Sequence, residues 1–249
     1  MTIKIVTATT ATRDNPPVDA IDPASTLVAP SNFLADLEAG DYAALLEIAT
    51  VQHYSKGDLV FRSGAPGSNV YFLRSGKIKI HQSSPLGREV ILWFCFSGDI
   101  FGLAEVTRGD GRVVNAQACE ASVVLAVAQD KFRLFLKRHP QVALLSMQVL
   151  SSRLRVLGEM FVNLVSDDVS TRIAKLILRL SARYGTRVGK EVFLNIPITH
   201  QEIADMVGTS RQTVTSVLGS LKRQGVLSID NRRIHIESEE LLNELTNGS

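Results

Sequence analysis

Between Ile198 and Leu221 two short runs of helical periodicity meet at a single glycine, and that junction constrains the fold more than any other feature of the chain. Thr199 stands three residues before Glu202, the spacing of a capping box at a helix start. Ile203, Ala204 and Val207 give the first run a buried face, and Gly208 supplies the backbone freedom for a sharp turn. Ser210 caps the second run, in which Val214, Val217, Leu218 and Leu221 make an inward stripe. Arg211, Gln212, Thr215 and Ser216 are left on the outward face, and their donors and acceptors match those of base edges in a DNA major groove. The pattern is that of a helix-turn-helix. An ordinary helical hairpin is the alternative, but capping, glycine and a base-reading outward face coincide here. The candidate DNA-contacting residues are Thr199, His200, Gln201, Ser210, Arg211, Gln212, Thr213, Thr215 and Ser216.

Charge agrees with this reading once it is taken locally. The 249 residues carry a formal net charge of only +2. From Asp168 to Ile236, however, 11 Lys and Arg face 5 Asp and Glu, before an acidic tail at Glu237, Glu239, Glu240 and Glu244. The basic excess sits around the helix-turn-helix, where phosphate has to be neutralised. A hydrophobic content of 45% is enough for the cores of one large or two ordinary domains. Two cysteines, Cys95 and Cys119, cannot build a disulfide framework or a four-thiolate zinc or iron–sulfur site within one chain, and they point to a reducing cytoplasm. No apolar run approaches the roughly 18 residues of a membrane span, and the N-terminus lacks a basic-then-apolar leader, so no membrane partner is expected.

Periodicity divides the chain into four parts. Residues 1–31, rich in Thr, Ala, Pro and Asp, read as a flexible extension without chemistry. Residues 32–139 open on a short helical pattern (Phe33, Leu34, Leu37, Tyr42, Leu45, Leu46) and continue from His53 to Phe132 as short glycine-punctuated β segments, a β-roll sensor domain. Alternation is clear from Lys77 to His81, which places His81 on the solvent side with Lys79, and it recurs from Val123 to Val127. Residues 140–167 repeat apolar side chains every three or four positions, and Leu150, Leu154, Leu157, Phe161 and Leu164 predict pairing with a second copy of the helix. Residues 168–249 form the DNA-binding part, in which Asp168 or Ser170 caps a helix over Arg172–Tyr184. Leu227–Ile229 and Ile234–Ile236 flank a hairpin wing, where Arg232 is placed to touch phosphate. The fold class is α+β: an N-terminal β-roll, a long dimerisation helix and a C-terminal winged helix-turn-helix.

Further residues fall in the order of a known family. Gly76, Gly87, the Gly98-Asp99-Ile100-Phe101-Gly102 turn, the long helix, Asp168 followed by Arg172, and the run from Val207 to Val214 together resemble the cyclic AMP receptor protein/FNR (CRP/FNR) transcription regulators over about His53 to Ile236. The resemblance implies a homodimer with a cyclic-nucleotide-binding-like, effector-binding β-roll. It also implies a winged helix that recruits or blocks RNA polymerase at a palindromic site in double-stranded DNA, as activator or repressor.

Departures from the family pattern bear on the effector. Members that bind cyclic AMP are similar around a Phe-Gly-Glu turn, whose carboxylate takes a ribose hydroxyl, and an Arg-Ser pair that holds the phosphate. The corresponding residues here are Phe101-Gly102-Leu103 and Arg112-Val113. Leucine cannot accept the ribose hydrogen bond and valine cannot donate to phosphate, which argues against cyclic AMP even with Glu105 one turn later. The expected effector pocket comprises Phe101, Gly102, Leu103, Glu105, Arg112, Val113 and Val114, with Arg112 either holding another anion or standing solvated beside Asp110. The FNR-type iron–sulfur cluster needs four thiolates and is not expected. Haem-based sensing of nitric oxide or carbon monoxide stays open, with an axial ligand from His53, His81, Cys95, Cys119, Met160 or a chain terminus. Disulfide formation between Cys95 and Cys119, and an effector-independent regulator with a purely structural β-roll, stay open as well.

Arg211 suits bidentate pairing with guanine O6 and N7, and Gln212 suits adenine or a phosphate or water-mediated contact. Many members of the family carry Glu at the Gln212 position and Arg at the Ser216 position. Their absence implies a half-site that keeps the guanine but departs from the family's usual cores. The enzyme alternative is a cupin-like β-roll fused to a DNA module, whose metal needs two histidines one residue apart, an acid and a third histidine. The β segments hold only His53 and His81, far apart, so neither a metal nor catalysis is expected.

Overall fold

The computed structural model describes residues 32–85, 87–106, 111–189, 191–194 and 196–247. The expected N-terminal extension, 1–31, and Asp110 lie outside the described residues. Among the described residues eight strands build the N-terminal part: β1 (Thr50–Tyr54), β2 (Leu59–Phe61), β3 (Asn69–Ser75), β4 (Lys77–Ser83), β5 (Glu89–Phe96), β6 (Ile100–Phe101), β7 (Asn115–Ala118) and β8 (Ser122–Ala128). They pair antiparallel in two sheets of order β1-β8-β3-β6 and β2-β7-β4-β5. Successive strand residues face opposite ways, so Tyr71, Leu73, Val124 and Ala126 of the first sheet meet Ile78, Ile80, Cys95 and Ala118 of the second.

The other face of the first sheet, with Val70, Phe72, Leu125 and Val127, is covered by helices α1 (Ala39–Ile48) and α2 (Gln129–Arg138) and the start of α3 (Pro140–Ser166). Both faces of β8 are therefore dry, which is why its sequence is apolar at nearly every position rather than cleanly alternating. The β segments expected as far as Phe132 stop at Ala128. Phe132 instead lies in α2, whose Phe132 and Phe135 pack inward one helical turn apart.

Pro140 occupies the first turn of α3, where its missing N–H costs nothing, and the helix runs 27 residues, about 40 Å. Val142, Ser146 and Val149 turn towards the β-roll. Met147, Leu154 and Phe161, with Leu150, Leu157 and Leu164, occupy a and d positions of successive heptads. Within the single chain Leu157 is half-buried and the other five are exposed: Leu154 is 72% exposed and Phe161 68%.

The C-terminal part begins with α4 (Val169–Tyr184), whose N-cap Asp168 accepts the Thr171 N–H at 2.7 Å. It continues through β9 (Gly185–Val188), β10 (Glu191–Leu194), α5 (His200–Val207), α6 (Arg211–Arg223), β11 (Leu227–Asp230), β12 (Arg233–Ile236) and α7 (Glu239–Asn247). The wing is a four-stranded sheet of order β11-β12-β10-β9 rather than a lone hairpin. The acidic tail is helical, with Leu242 buried in the same core as α4.

The two parts share that core. Ile91 and Phe94 of β5 pack with Ile203, Ala204 and Met206 of α5. The face of β4 that carries Lys77, Lys79 and His81 is therefore covered by the DNA module, and His81 is only 7% exposed. The solvent-facing position expected for His81 is overturned, because strand alternation states that two faces differ but not what covers the polar one. A register shift between Ile80 and His81 also breaks the ladder at that point.

Candidate DNA-reading face and sensor cavity

The helix-turn-helix is built by its caps. Thr199 accepts the Glu202 N–H at 3.1 Å while Glu202 takes the Thr199 N–H at 2.8 Å, and Gly208 turns the chain in the left-handed region at φ 73°. Ser210 accepts the Thr213 N–H at 3.1 Å and starts α6. Val214, Leu218 and Leu221 are buried beneath it, with Val217 half-buried. Arg211, Gln212, Thr215 and Ser216 are exposed on the outward face.

The polar side chains singled out from the sequence are not equally free. Thr199 and Ser210 are engaged as caps, and Thr213 bonds the Ser210 hydroxyl at 2.8 Å. Thr215 donates to the Arg211 carbonyl at 2.9 Å and lies 2.8 Å from His200 Nδ1, while Gln201 donates to Asp205 at 2.8 Å. Arg232 and Asn231 form the wing turn at φ 66° and 47°, and the Arg232 carbonyl accepts the Ile198 N–H at 3.0 Å. A groove between α6 and the wing is lined by His200, Gln201, Arg211 and Arg232, so these four converge. Lys222 and Arg223 extend the exposed basic character to the last turn of α6. They were missed because they lie beyond the short motif, although their charge was a signal.

Polar ties join reader, hinge and β-roll. Arg172 donates to the Asp167 carbonyl at 2.8 Å and to the Val207 carbonyl at 3.1 Å, linking the end of α3 to the end of α5. Lys175 pairs with Asp167 at 2.8 Å. Arg183 on α4 pairs with Asp99 of the β-roll at 2.5 Å. Burial pushes the Asp99 carboxyl up, and the Arg183 charge and the Phe96 N–H act against that.

Sensor residues surround a cavity of about 230 Å³ between the β-roll and α3, lined by Phe101, Gly102, Leu103, Glu105, Arg112, Val113 and Val114 and closed by Leu150, Arg153, Leu154 and Leu157. Val113 lies at the rim, 63% exposed. Arg112 is 3% exposed, so the solvated-loop alternative is overturned. Its guanidinium pairs with Glu105, donates to the Gly102 and Asn69 carbonyls and lies 4.2 Å from the Phe61 ring centre. Gly102 makes room for it: a Cβ there would stand 2.9 Å from Arg112 Nη1.

That arrangement does not fit a cyclic nucleotide, since a phosphate would have to displace Glu105 and Leu103 offers no acceptor for the ribose. Nor do the lining residues fit a haem, because no His, Cys or Met side chain is among them. His53 is exposed on β1 and Met160 lines a different crevice; a ligand from residues 1–31 lies outside the described residues. Cys95 and Cys119 flank β4 from opposite sides, since Ile78 pairs with both Cys95 and Ala118. Strands two apart are separated by about 9.5 Å, beyond disulfide reach. Burial pushes the Cys95 thiol up to about 12 and the Cys119 thiol up to about 11, so neither is a ready thiolate. His53 and His81 sit on different sheets and do not converge as cupin ligands would.

Comparison with known proteins agrees with this architecture. The family model of the cyclic nucleotide-binding domain matches residues 51–139, and that of the Crp-like helix-turn-helix domain matches residues 171–245. The chain is 29% identical over 216 residues to the CRP-like cAMP-activated global transcriptional regulator of Mycobacterium tuberculosis, covering 87% of this chain and 96% of the relative. It is 27% identical over 196 residues to the global nitrogen regulator of Synechocystis sp., covering 78% and 87%. A solved structure of a CooA mutant from Carboxydothermus hydrogenoformans superposes with a TM-score of 0.77 at 25% identity, covering 89% of this chain and 99% of that one. Among the described residues no helix is long and apolar enough to cross a membrane. With a cyclic nucleotide-binding-like β-roll, a long connecting helix and a Crp-like DNA-binding module in that order, the chain belongs to the CRP/FNR family of transcription regulators.

Proposed function

We propose that this protein is a homodimeric, cytoplasmic transcription regulator that reads a palindromic DNA site with two copies of α6 and acts on RNA polymerase there. Its signal is a small effector other than cyclic AMP, or its own abundance. The observation that carries this reading is the division of α6 into a buried stripe and an exposed face bearing Arg211, Gln212 and Ser216. The uncovered heptad seam of α3 supports the dimer, because a water-exposed row of Met, Leu and Phe is the face a second helix buries. The relatives' names point to different signals, cyclic AMP in one and nitrogen status in another, so likeness alone does not choose the effector. The internal Arg112–Glu105 pair argues against a cyclic phosphate.

Light scattering combined with selection from random DNA tests the reading. A mass of two chains and a selected site whose half-sites are centred about 34 Å apart, one helical turn, are expected. A monomeric mass with a single half-site would overturn it. Cyclic AMP is expected to leave thermal stability unchanged, whereas a true effector at about 100 times its Kd adds roughly 2.7 kcal/mol.

A further inference from the structure

His200 opens α5, is half-buried and lines the groove between α6 and the wing, where the charged side chains are Arg211 and Arg232. On its own helix Glu202 is paired with Lys77 of β4, and Asp205 accepts from Gln201. His200 Nδ1 lies 2.8 Å from the Thr215 hydroxyl, and that hydroxyl lies 2.9 Å from the Arg211 carbonyl. A hydroxyl has one proton and a carbonyl has none to give. Both contacts are therefore made together only when Thr215 donates to the carbonyl and the ring donates from Nδ1. In a neutral ring the second nitrogen, Nε2, is then an acceptor. No described residue bonds Nε2, and the geometry of the ring turns it away from Thr215.

The first helix of a helix-turn-helix crosses the phosphate backbone while the second enters the major groove, so the start of α5 meets phosphate. A phosphate oxygen accepts hydrogen bonds, and the lone pair of a neutral Nε2 repels it. A proton on Nε2 turns that clash into a charge-assisted hydrogen bond and leaves the Nδ1–Thr215 contact intact. The negative charge of the phosphate favours the charged ring in the complex over the free protein, so binding takes up a proton. We infer, on the DNA reading proposed above, that His200 holds a DNA phosphate as an imidazolium positioned by Thr215, so that each half-site is bound with uptake of a proton and affinity rises as pH falls. Thr215 is then a positioning residue, its hydroxyl engaged between Arg211 and His200 rather than on a base edge. A lysine or arginine at the start of α5 would hold the phosphate at every pH, whereas a histidine makes the contact conditional between about pH 5 and 8.

The test is binding of the full-length protein, by fluorescence anisotropy at constant salt, to the palindromic duplex recovered by selection from random DNA. Between pH 6 and pH 8 the wild-type affinity is expected to fall at least about tenfold, through the linkage of two protons per dimer. His200→Gln, which takes up no proton, is expected to stay near the wild-type pH 8 affinity throughout, and His200→Arg near the pH 6 affinity. Thr215→Val is expected to make the profile shallower, and Thr215→Ser, which keeps the hydroxyl, to restore it. Nitrogen NMR of the free protein, with His200→Gln assigning the ring, is expected to show the neutral Nδ1–H form, and Thr215→Val to shift it towards Nε2–H. Thermal unfolding over the same pH range checks that each variant folds; should His200→Gln fail to fold, the flat profile expected of His200→Arg decides. A His200→Gln or His200→Arg profile as steep as the wild type's, a Thr215→Val profile that is equally steep, or an Nε2–H ring in the free wild type would each overturn the inference. Selection of no DNA site overturns the DNA reading and this inference with it, a failure distinct from a bound site whose pH profile ignores His200.

Discussion

The ammonium of Lys77 on β4 lies 2.8 Å from the carboxylate of Glu202 on α5, so a residue of the capping box that starts the helix-turn-helix also ties that helix to the β-roll. Lys77 Nζ donates as well to the Pro197 carbonyl at 3.1 Å and stands 4.0 Å from the Phe94 ring centre. Its side chain is 5% exposed, so it has exchanged water for these three partners. Any signal that separates the two domains has to break this tie, along with the Arg183–Asp99 pair.

Lys77→Met is expected to destabilise the protein by about 2 kcal/mol, the scale of a hydrogen bond to a charged group. Burial pushes the Glu202 carboxyl up, but the hydrogen bond and charge of Lys77 and the Thr199 N–H outweigh it and leave the pKa lowered. A lowered folded-state value contributes stability that is present above the unfolded value of about 4.3 and is lost as pH falls through the folded one. Denaturant unfolding between pH 3 and 7 is expected to show an acid limb in the wild type that is shallower in Lys77→Met.

In the sensor cavity, Arg112→Met or Glu105→Leu alone leaves an uncompensated buried charge, at a cost of about 3–5 kcal/mol. The double variant is expected to recover most of that loss, because both charges leave together. A double-mutant cycle by urea unfolding measures the coupling, and additive losses would show that the pair is not internal.

Gly76 and Gly208 both lie at positive φ, 100° and 73°, but they differ in surroundings. A Cβ at Gly208 meets nothing nearer than Leu164 Cδ1 at 3.7 Å, so Gly208→Ala is expected to cost only the backbone term, about 1–2 kcal/mol. At Gly76 a Cβ falls 2.8 Å from the Ala121 carbonyl, and Gly76→Ala is expected to cost more than Gly208→Ala. Thermal unfolding of the two variants side by side checks the order.

Arg211→Ala is expected to lose about 1–3 kcal/mol of DNA binding and to relax one base position, whereas Arg232→Ala weakens all sequences alike. Binding to sites with single-base changes distinguishes the two patterns. Equal weakening at every site by Arg211→Ala would remove it from base reading.

Leu154→Glu with Phe161→Glu is expected to give a folded monomer, since both side chains are exposed in the single chain and neither contributes to its core. Sedimentation should then report one chain, and affinity for a full palindrome should fall to that of a half-site.

By itself the sequence determined the local architecture of the reader, because caps, a glycine turn and a 3.6-residue stripe act over a few residues. Thr199, Glu202, Gly208 and Ser210 form the contacts their spacing predicts. The long helix and the alternating strands were legible for the same reason. What the tertiary structure decided is which faces meet. It put the Lys77–His81 face under α5, turned Arg112 from a loop cation into a buried partner of Glu105, and folded the acidic tail into α7. Residues up to 125 apart in sequence form these contacts. Periodicity names a face as polar or apolar, but the packing of distant elements determines whether that face meets water, a counter-charge or another domain.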